Sequence, residues 1–173
     1  ELPWLDSVKG LLYMGLPGEA AGAAIKDLLY GAVCPSGKLA ETWPVKMEDC
    51  ICDFYYGSPN KDAQYRESVY VGYRYFETVP QAEEKVNYPF GFGLSYTDFK
   101  LSDIKAQDDG QNITVTLKVT NIGELSGREV VQVYYSAPQG VLGKPKKALA
   151  GFKKTSLIKS GETENITITF AIN

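Results

Sequence analysis

Histidine is absent from the 173-residue sequence. A Ser-His-Asp or Cys-His nucleophile therefore has no imidazole to take its proton, and a catalytic zinc site loses its usual ligands. An excess of basic residues is missing too. With 18 Lys and Arg against 21 Asp and Glu the net charge is -3, and no local run of lysines or arginines offers a footprint for DNA or RNA. No apolar run approaches the roughly 18 residues that a membrane helix needs, and Glu1-Leu2-Pro3-Trp4 lacks the basic start and apolar core of a signal peptide. Neither nucleic acid nor membrane is expected as a partner, and the chain starts abruptly, as a fragment does. Cysteine is sparse. Cys34, Cys50 and Cys52 are an odd number in a chain large enough to do without staples, which leans toward a reducing compartment. Two-residue spacing at Cys50-Ile51-Cys52, with Cys34 and no fourth donor, makes a poor tetrahedral site, so unliganded thiols and no metal or cofactor are expected.

What is present is ordinary globular composition, 44% hydrophobic and 23% charged, which excludes a disordered chain. Pro3 to Val8 reads as the last turn of a helix. Leu11-Leu12-Tyr13-Met14-Gly15-Leu16 fits a buried strand. Pro17-Gly18-Glu19 makes a turn, and Ala20 to Tyr30 reads as a helix with Ala21, Ala24, Ile25, Leu28 and Leu29 on one face and Gly31 closing it. Strand, turn and helix are half of a βαβ unit, so this region is expected in a parallel sheet. Gly15 to Gly22 mimics a phosphate loop, but the spacing is not G-x-G-x-x-G, no Lys-Ser/Thr follows, and Glu19 would repel phosphate. A structural turn is the better reading.

Pro35-Ser36-Gly37-Lys38 turns the chain into Leu39 to Trp43, and Pro44 is expected to stop that segment. Val45 to Arg66 is polar and aperiodic, a long surface loop of the kind that borders binding sites. From Asp98 the period is two. Phe99-Leu101-Ile104, Ile113-Val115-Leu117-Val119, Glu129 to Tyr135, Leu149 to Leu157 and Ile166-Ile168-Phe170-Ile172 are five short strands punctuated by Asn121-Ile122-Gly123, Pro138-Gln139-Gly140, Gly143-Lys144-Pro145 and Ser160-Gly161. They predict an all-β sandwich of immunoglobulin or fibronectin III type, two strands short of the usual seven. Asn112-Ile113-Thr114 and Asn165-Ile166-Thr167 are glycosylation sequons lying on ordinary strand residues.

Between the two architectures lie Tyr70-Val71-Gly72-Tyr73-Arg74-Tyr75-Phe76 and Tyr88-Pro89-Phe90-Gly91-Phe92-Gly93-Leu94-Ser95-Tyr96. Aromatics alternate there with glycine, which lets rings pack against backbone. This order resembles the C-terminal part of glycoside hydrolase family 3, the β-glucosidase and β-xylosidase family. Pro17-Gly18-Glu19, then Asp27, Leu28 and Gly31, and Pro35-Ser36-Gly37-Lys38-Leu39 fit the same pattern, as do Val119 to Gly123, Gly127 to Tyr134, Leu149-Ala150-Gly151-Phe152 and Ser160-Gly161-Glu162-Thr163. Alanines at 20 and 21 depart from it, standing where polar residues are common.

The resemblance implies that residues 1–97 are the end of an α/β sandwich domain and that 98–173 are a fibronectin III-like domain truncated at its C-terminus. It further implies a retaining β-glycosidase, most readily a β-glucosidase, releasing terminal β-linked sugars through a glycosyl-enzyme. Two carboxylates perform such chemistry. Asp53, Asp62, Glu67 and Glu77 flank the aromatic segment, with Glu67 beside Arg66 the most tempting acid, yet a carboxylate beside arginine is usually a paired surface ion. The family's nucleophilic aspartate and acid/base glutamate match nothing in this chain, so no catalytic residue is assigned. The expected partners are a β-glucoside or oligosaccharide in the full-length enzyme and the remaining domains of that enzyme. The alternative reading is a non-catalytic module that binds carbohydrate or protein, with Tyr134 or Tyr135 stacking on sugar. Strand alternation turns one of these two inward. A partial sheet with an open edge predicts that the isolated chain dimerises or aggregates.

Overall fold

The computed structural model describes residues 2–56 and 64–172. In chain order its elements are α1 (Ala21–Leu29), β1 (Trp43–Pro44), α2 (Tyr73–Phe76), β2 (Val86–Tyr88), β3 (Phe99–Asp108), β4 (Asn112–Asn121), β5 (Val130–Tyr135), β6 (Ala148–Lys154) and β7 (Thr163–Ala171). Short 3-10 turns lie at Leu5–Ser7, Met47–Asp49, Asp53–Tyr55 and Glu83–Lys85. The chain is thus mixed helix and strand before residue 98 and all-β after it. Among the described residues no helix is long and apolar enough to cross a membrane.

Two compact units form. One comprises Glu1–Leu11, Leu39–Phe92 and Tyr135–Ala148, the other Leu12–Lys38, Gly93–Tyr134 and Leu149–Asn173.

The second unit holds the main core. β3, β4 and β7 make an antiparallel sheet with β4 central, and β5 pairs with β6. Strict alternation along β4 sends Val115, Leu117 and Val119 inward, opposite Ile168, Ile166 and Glu164 of β7. The side chains of these inward aliphatics pack with Val131 and Ile158, flanked by Phe99, Ile113, Val133 and Phe170. Threonines cover the other face, where the hydroxyls of Thr114 and Thr169 lie 3.0 Å apart and those of Thr120 and Thr163 2.8 Å apart. Parity also carries Asn121 inward, where it is fully buried. Its amide donates to the carbonyls of Leu125 (2.7 Å) and Ile158 (2.9 Å), and its Oδ1 accepts from Thr97 Oγ1 (2.8 Å) and Gly123 N (3.1 Å). All four capacities of the amide are filled, which makes a buried polar residue tolerable.

Several expectations need correction. Leu11 to Leu16 forms no strand, and the β1–β2, β3–β4 and β4–β7 pairings are antiparallel. A parallel strand needs a crossover neighbour, and this run joins none of the described sheets. Pro44 does not end the segment before it but lies within β1, which pairs with β2 through an irregular register. A two-residue edge pairing leaves room for proline. Within the loop expected over Val45 to Arg66 the described residues form short 3-10 turns at Met47–Asp49 and Asp53–Tyr55, and residues 57–63 lie outside the described residues. Ile104 is exposed, because β3 shifts register between Ser102 and Lys105 and Asp103 takes a positive φ of 53° there. A bulge of this kind turns the following side chain out of the alternation. The strand expected over Leu149 to Leu157 ends at Lys154, with Ile158 in a separate bridge to Gly127.

α1 is as read, and Gly31 closes it with φ 71°, its N–H bonded to the Leu28 carbonyl at 3.2 Å. Of its expected apolar face, Ala21, Ile25 and Leu28 are half-buried whereas Ala24 and Leu29 are exposed. Tyr96 Oη donates to the Leu28 carbonyl at 3.0 Å. Cys34 is buried in the same unit. Lys38 Nζ meets Glu129 Oε1 at 2.9 Å and donates to the Gly93 carbonyl at 2.8 Å, so the Pro-Ser-Gly-Lys turn is bolted to the start of β5.

Candidate functional site

The aromatic segment belongs to the first unit, where alternation of rings with small residues builds a compact cluster. Tyr73 and Phe90 stack with centroids 4.5 Å apart, Tyr88 tilts against Phe92 at 5.2 Å, and Trp43 meets Tyr88 edge-on at 6.1 Å. Backbone bonds from Leu39 N to Phe92 O and from Gly91 N to Leu39 O, both 2.8 Å, tie the two ends of the cluster together. Phe76, at the end of α2, is 6% exposed, and Ala82 is 2% exposed.

Beside this cluster lies a cleft of about 270 Å³, lined by Thr42, Tyr73, Phe76, Glu77, Glu83, Val86 and Pro89. Two carboxylates and a hydroxyl thus face a mostly apolar wall. Glu77 Oε2 lies 3.1 Å from Lys147 Nζ, without a well-aligned hydrogen bond, and Thr42 Oγ1 is buried without a hydrogen-bond partner. The next residue, Thr78, accepts the Lys146 backbone N–H at its Oγ1 at 2.8 Å. Tyr70 is close enough to Gly143 that a methyl group there would meet its hydroxyl at 3.1 Å. The loop between β5 and β6 is therefore fastened to the segment Tyr70–Thr78 at three points, and Glu77 is held by that fastening.

The other carboxylates singled out from the sequence do not join it in the cleft. Asp53 opens a 3-10 turn, its backbone N–H bonded to the Cys50 carbonyl at 3.1 Å. Glu67 is half-buried and its carbonyl accepts the Tyr70 N–H at 2.9 Å. Asp62 lies outside the described residues. The expected Arg66–Glu67 pairing is replaced. Arg66 Nε donates to Gln64 Oε1 at 2.7 Å and a guanidinium N–H to Tyr55 Oη at 3.2 Å, with the guanidinium 4.3 Å from the centre of the Tyr55 ring. The planar cation is engaged by the ring face and by two neutral acceptors.

Cys34, Cys50 and Cys52 are free thiols. Burial pushes the Cys50 thiol up from its ordinary value of 9.0, aided by the negative field of Cys52, Asp53, Asp49 and Glu67. Among the described residues no group of three or more His, Cys, Asp or Glu is placed to hold a metal ion. On the sandwich, Tyr134 is half-buried with its hydroxyl donating to Gln132 Oε1 at 2.6 Å, and Tyr135 is exposed.

Sequence reasoning missed the Lys147–Glu77 and Lys38–Glu129 pairs. Their partners lie 70 and 91 residues apart (147 − 77 and 129 − 38), beyond the reach of periodicity. It also missed Asn121, whose signal was its inward parity in β4.

Comparison with known proteins agrees with this layout. Residues 1–96 match the glycosyl hydrolase family 3 C-terminal domain, and residues 129–172 match a fibronectin type III-like domain. β-Glucosidase A of Butyrivibrio fibrisolvens is 45% identical over 94% of the chain and 21% of its own length. Thermostable β-glucosidase B of Acetivibrio thermocellus is 43% identical over 98% of the chain and 22% of its own length. Among solved structures, β-glucosidase 3B from Thermotoga neapolitana in complex with glucose superposes with a TM-score of 0.90 at 37% identity, covering 99% of this chain and 24% of that one. The chain thus spans about a fifth of the relatives it matches.

Proposed function

The chain belongs to glycosyl hydrolase family 3, and from that premise we propose that it is the C-terminal part of a retaining β-glucosidase, which hydrolyses terminal, non-reducing β-linked glucosides. The observation that carries the proposal is identity of 43 to 45% along nearly the whole chain to proteins that are themselves β-glucosidases. Residues 1–97 are the end of the α/β sandwich domain and 98–173 the fibronectin III-like domain, a division supported by the extents of the two family matches.

The catalytic carboxylates lie outside this chain, and Asp53, Glu67 and Glu77 have structural duties. The roles seen support this: Glu77 is engaged with Lys147, Asp53 opens a turn, and Glu67 receives a turn hydrogen bond through its carbonyl. Retaining chemistry asks for two carboxyl groups about 5 Å apart across a sugar. The role of this part is to complete and brace the enzyme, its partners being the remaining domains and its substrate reaching only the assembled protein.

The test is hydrolysis of a panel of nitrophenyl β-glycosides by the chain alone and by the complete open reading frame. Turnover of the β-glucoside by the full-length protein alone is the expected result. Turnover by the isolated chain would put a catalytic carboxylate within it, and silence from both would favour an accessory binding module.

A further inference from the structure

Cys50 and Cys52 sit at the joint between two 3-10 turns of the first unit, and both are free thiols. The Asp53 N–H bonds the Cys50 carbonyl at 3.1 Å, and Cys52 has φ -84° and ψ -14°. Cys50 to Asp53 is therefore a type I turn with a cysteine at its first and third positions. Two Cα steps of about 3.8 Å, folded back at a turn, fall within the roughly 4.4–6.8 Å that a disulfide spans. The turns on either side are fastened. Lys85 Nζ lies 3.3 Å from Asp49 Oδ1, the Val45 N–H bonds the Lys85 carbonyl at 2.9 Å, and the Arg66 guanidinium lies over the Tyr55 ring. Of the charges that act on Cys50, that of Cys52 is the largest, ahead of Asp53, Asp49 and Glu67, so the two sulfurs are close and share an acidic surround. Cys52 is exposed and Cys50 half-buried, which separates their roles.

We propose that Cys50 and Cys52 are a dithiol that closes to an intrachain disulfide by exchange with a small cationic disulfide. The Cys52 thiolate attacks one sulfur of that disulfide, forming a mixed disulfide and expelling one small thiol. The Cys50 thiol gives its proton to water and attacks Cys52 Sγ, forming the ring and expelling the second small thiol. Two protein thiols are oxidised, one disulfide is reduced to two thiols, and the exchange reverses when small thiols are in excess. The acidic surround favours a cationic reagent over an anionic one at the first step. Closure clips the two turns to each other and needs neither sugar nor another domain.

The test treats the full chain with cystamine, a cationic disulfide, or with glutathione disulfide, an anionic one, at pH 8 and low salt. Residues 47–61 form one tryptic peptide that carries both cysteines, and its mass reports the state of the pair. Native chain with cystamine is expected to lose two hydrogens in that peptide, while buried Cys34 stays a thiol. Cys50→Ser should stop with one cysteamine on Cys52, and Cys52→Ser should react at least about threefold more slowly. Cystamine should outpace glutathione disulfide at least about threefold, a margin that shrinks as salt is added. The ratio of closed ring to mixed disulfide should be at least about tenfold higher in the folded chain than in unfolding urea. A wild-type chain that stops at the mixed disulfide overturns the proposal, as does an equal ratio in urea. Glutathione disulfide reacting as fast as cystamine, or Cys52→Ser as fast as Cys50→Ser, overturns it as well.

Discussion

Leu11 to Leu16 is an apolar run and Ile113 to Val119 alternates apolar with polar residues; both have strand length, and only the second is a strand. β4 has a hydrogen-bonded neighbour on each side, β3 and β7, and its alternate residues meet a sealed interior. The earlier run belongs to none of the described sheets, and Leu16 stands fully in solvent. Composition thus states what a segment can bury, and the presence of a partner decides whether it is a strand. The sharpest contrast comes from truncating one aliphatic in each. Ile166→Ala, opposite Leu117, removes a side chain that is 1% exposed, and the cavity is expected to cost about 2–5 kcal/mol in urea unfolding. Leu16→Ala, at a side chain fully in solvent, should change stability by no more than about 0.5 kcal/mol. Equal losses at the two positions would break the comparison.

Asn121 sharpens it from the polar side. It has the parity of the core aliphatics, so replacing it with leucine would be harmless if β4 needed only apolar volume. Instead the leucine would strip partners from two carbonyls, from the Thr97 hydroxyl and from the Gly123 N–H. Unpaired buried groups cost about 1–3 kcal/mol each before relaxation, so Asn121→Leu is expected to destabilise by about 2–4 kcal/mol, read as a lower urea midpoint. A neutral or stabilising outcome would show that the network contributes nothing net.

The same contrast explains what was legible in the residues. The five strands after residue 98 could be read because alternation is a local signal and every strand found a neighbour within the chain. The C-terminal glycine of α1 was equally local. Leu11 to Leu16 could not be read correctly, because whether it pairs depends on residues elsewhere. The aromatic segment was recognised at once, but its fastening by Lys146 and Lys147 was not, because the loop that carries them is some 70 residues away in sequence. Among the candidate carboxylates, proximity to Arg66 misled, since the guanidinium found Tyr55 and Gln64 instead of Glu67.

A smaller effect is expected where backbone and side chain touch. Gly127 lies in the motif Gly127-Arg128-Glu129, and a methyl group added there would stand 2.6 Å from Thr97 Cγ2 and 3.1 Å from Phe99 Cζ. Gly127→Ala must push Thr97, which belongs to the Asn121 network, and about 1–3 kcal/mol of overpacking is expected. At Gly22 in α1, with open space around it, alanine should instead stabilise by up to about 1 kcal/mol through helix propensity. Thermal melts of the two variants should move in opposite directions.

The smallest expected effect separates two thiols of the first unit. Cys50 is half-buried and Cys52 exposed, and burial together with neighbouring negative charge raises the Cys50 value above 9.0. The raised value makes the protonated thiol the favoured form in the folded chain. Below pH 9.0 Cys50 is protonated whether the chain is folded or not, so its contribution to stability is fully present. As pH rises past that point the unfolded chain loses the proton first, and the contribution is lost as pH climbs through the folded value. The urea midpoint should therefore fall more steeply above pH 9.0 in the wild type than in a Cys50→Ala variant, the difference between the two curves cancelling other titrating groups. Because the thiolate is the nucleophile, Cys52 should react with iodoacetamide at pH 8 at least about threefold faster than Cys50. Equal rates together with parallel pH curves would mean that the 3-10 turn between Asp53 and Tyr55 and its acidic neighbours leave Cys50 as open to water as Cys52.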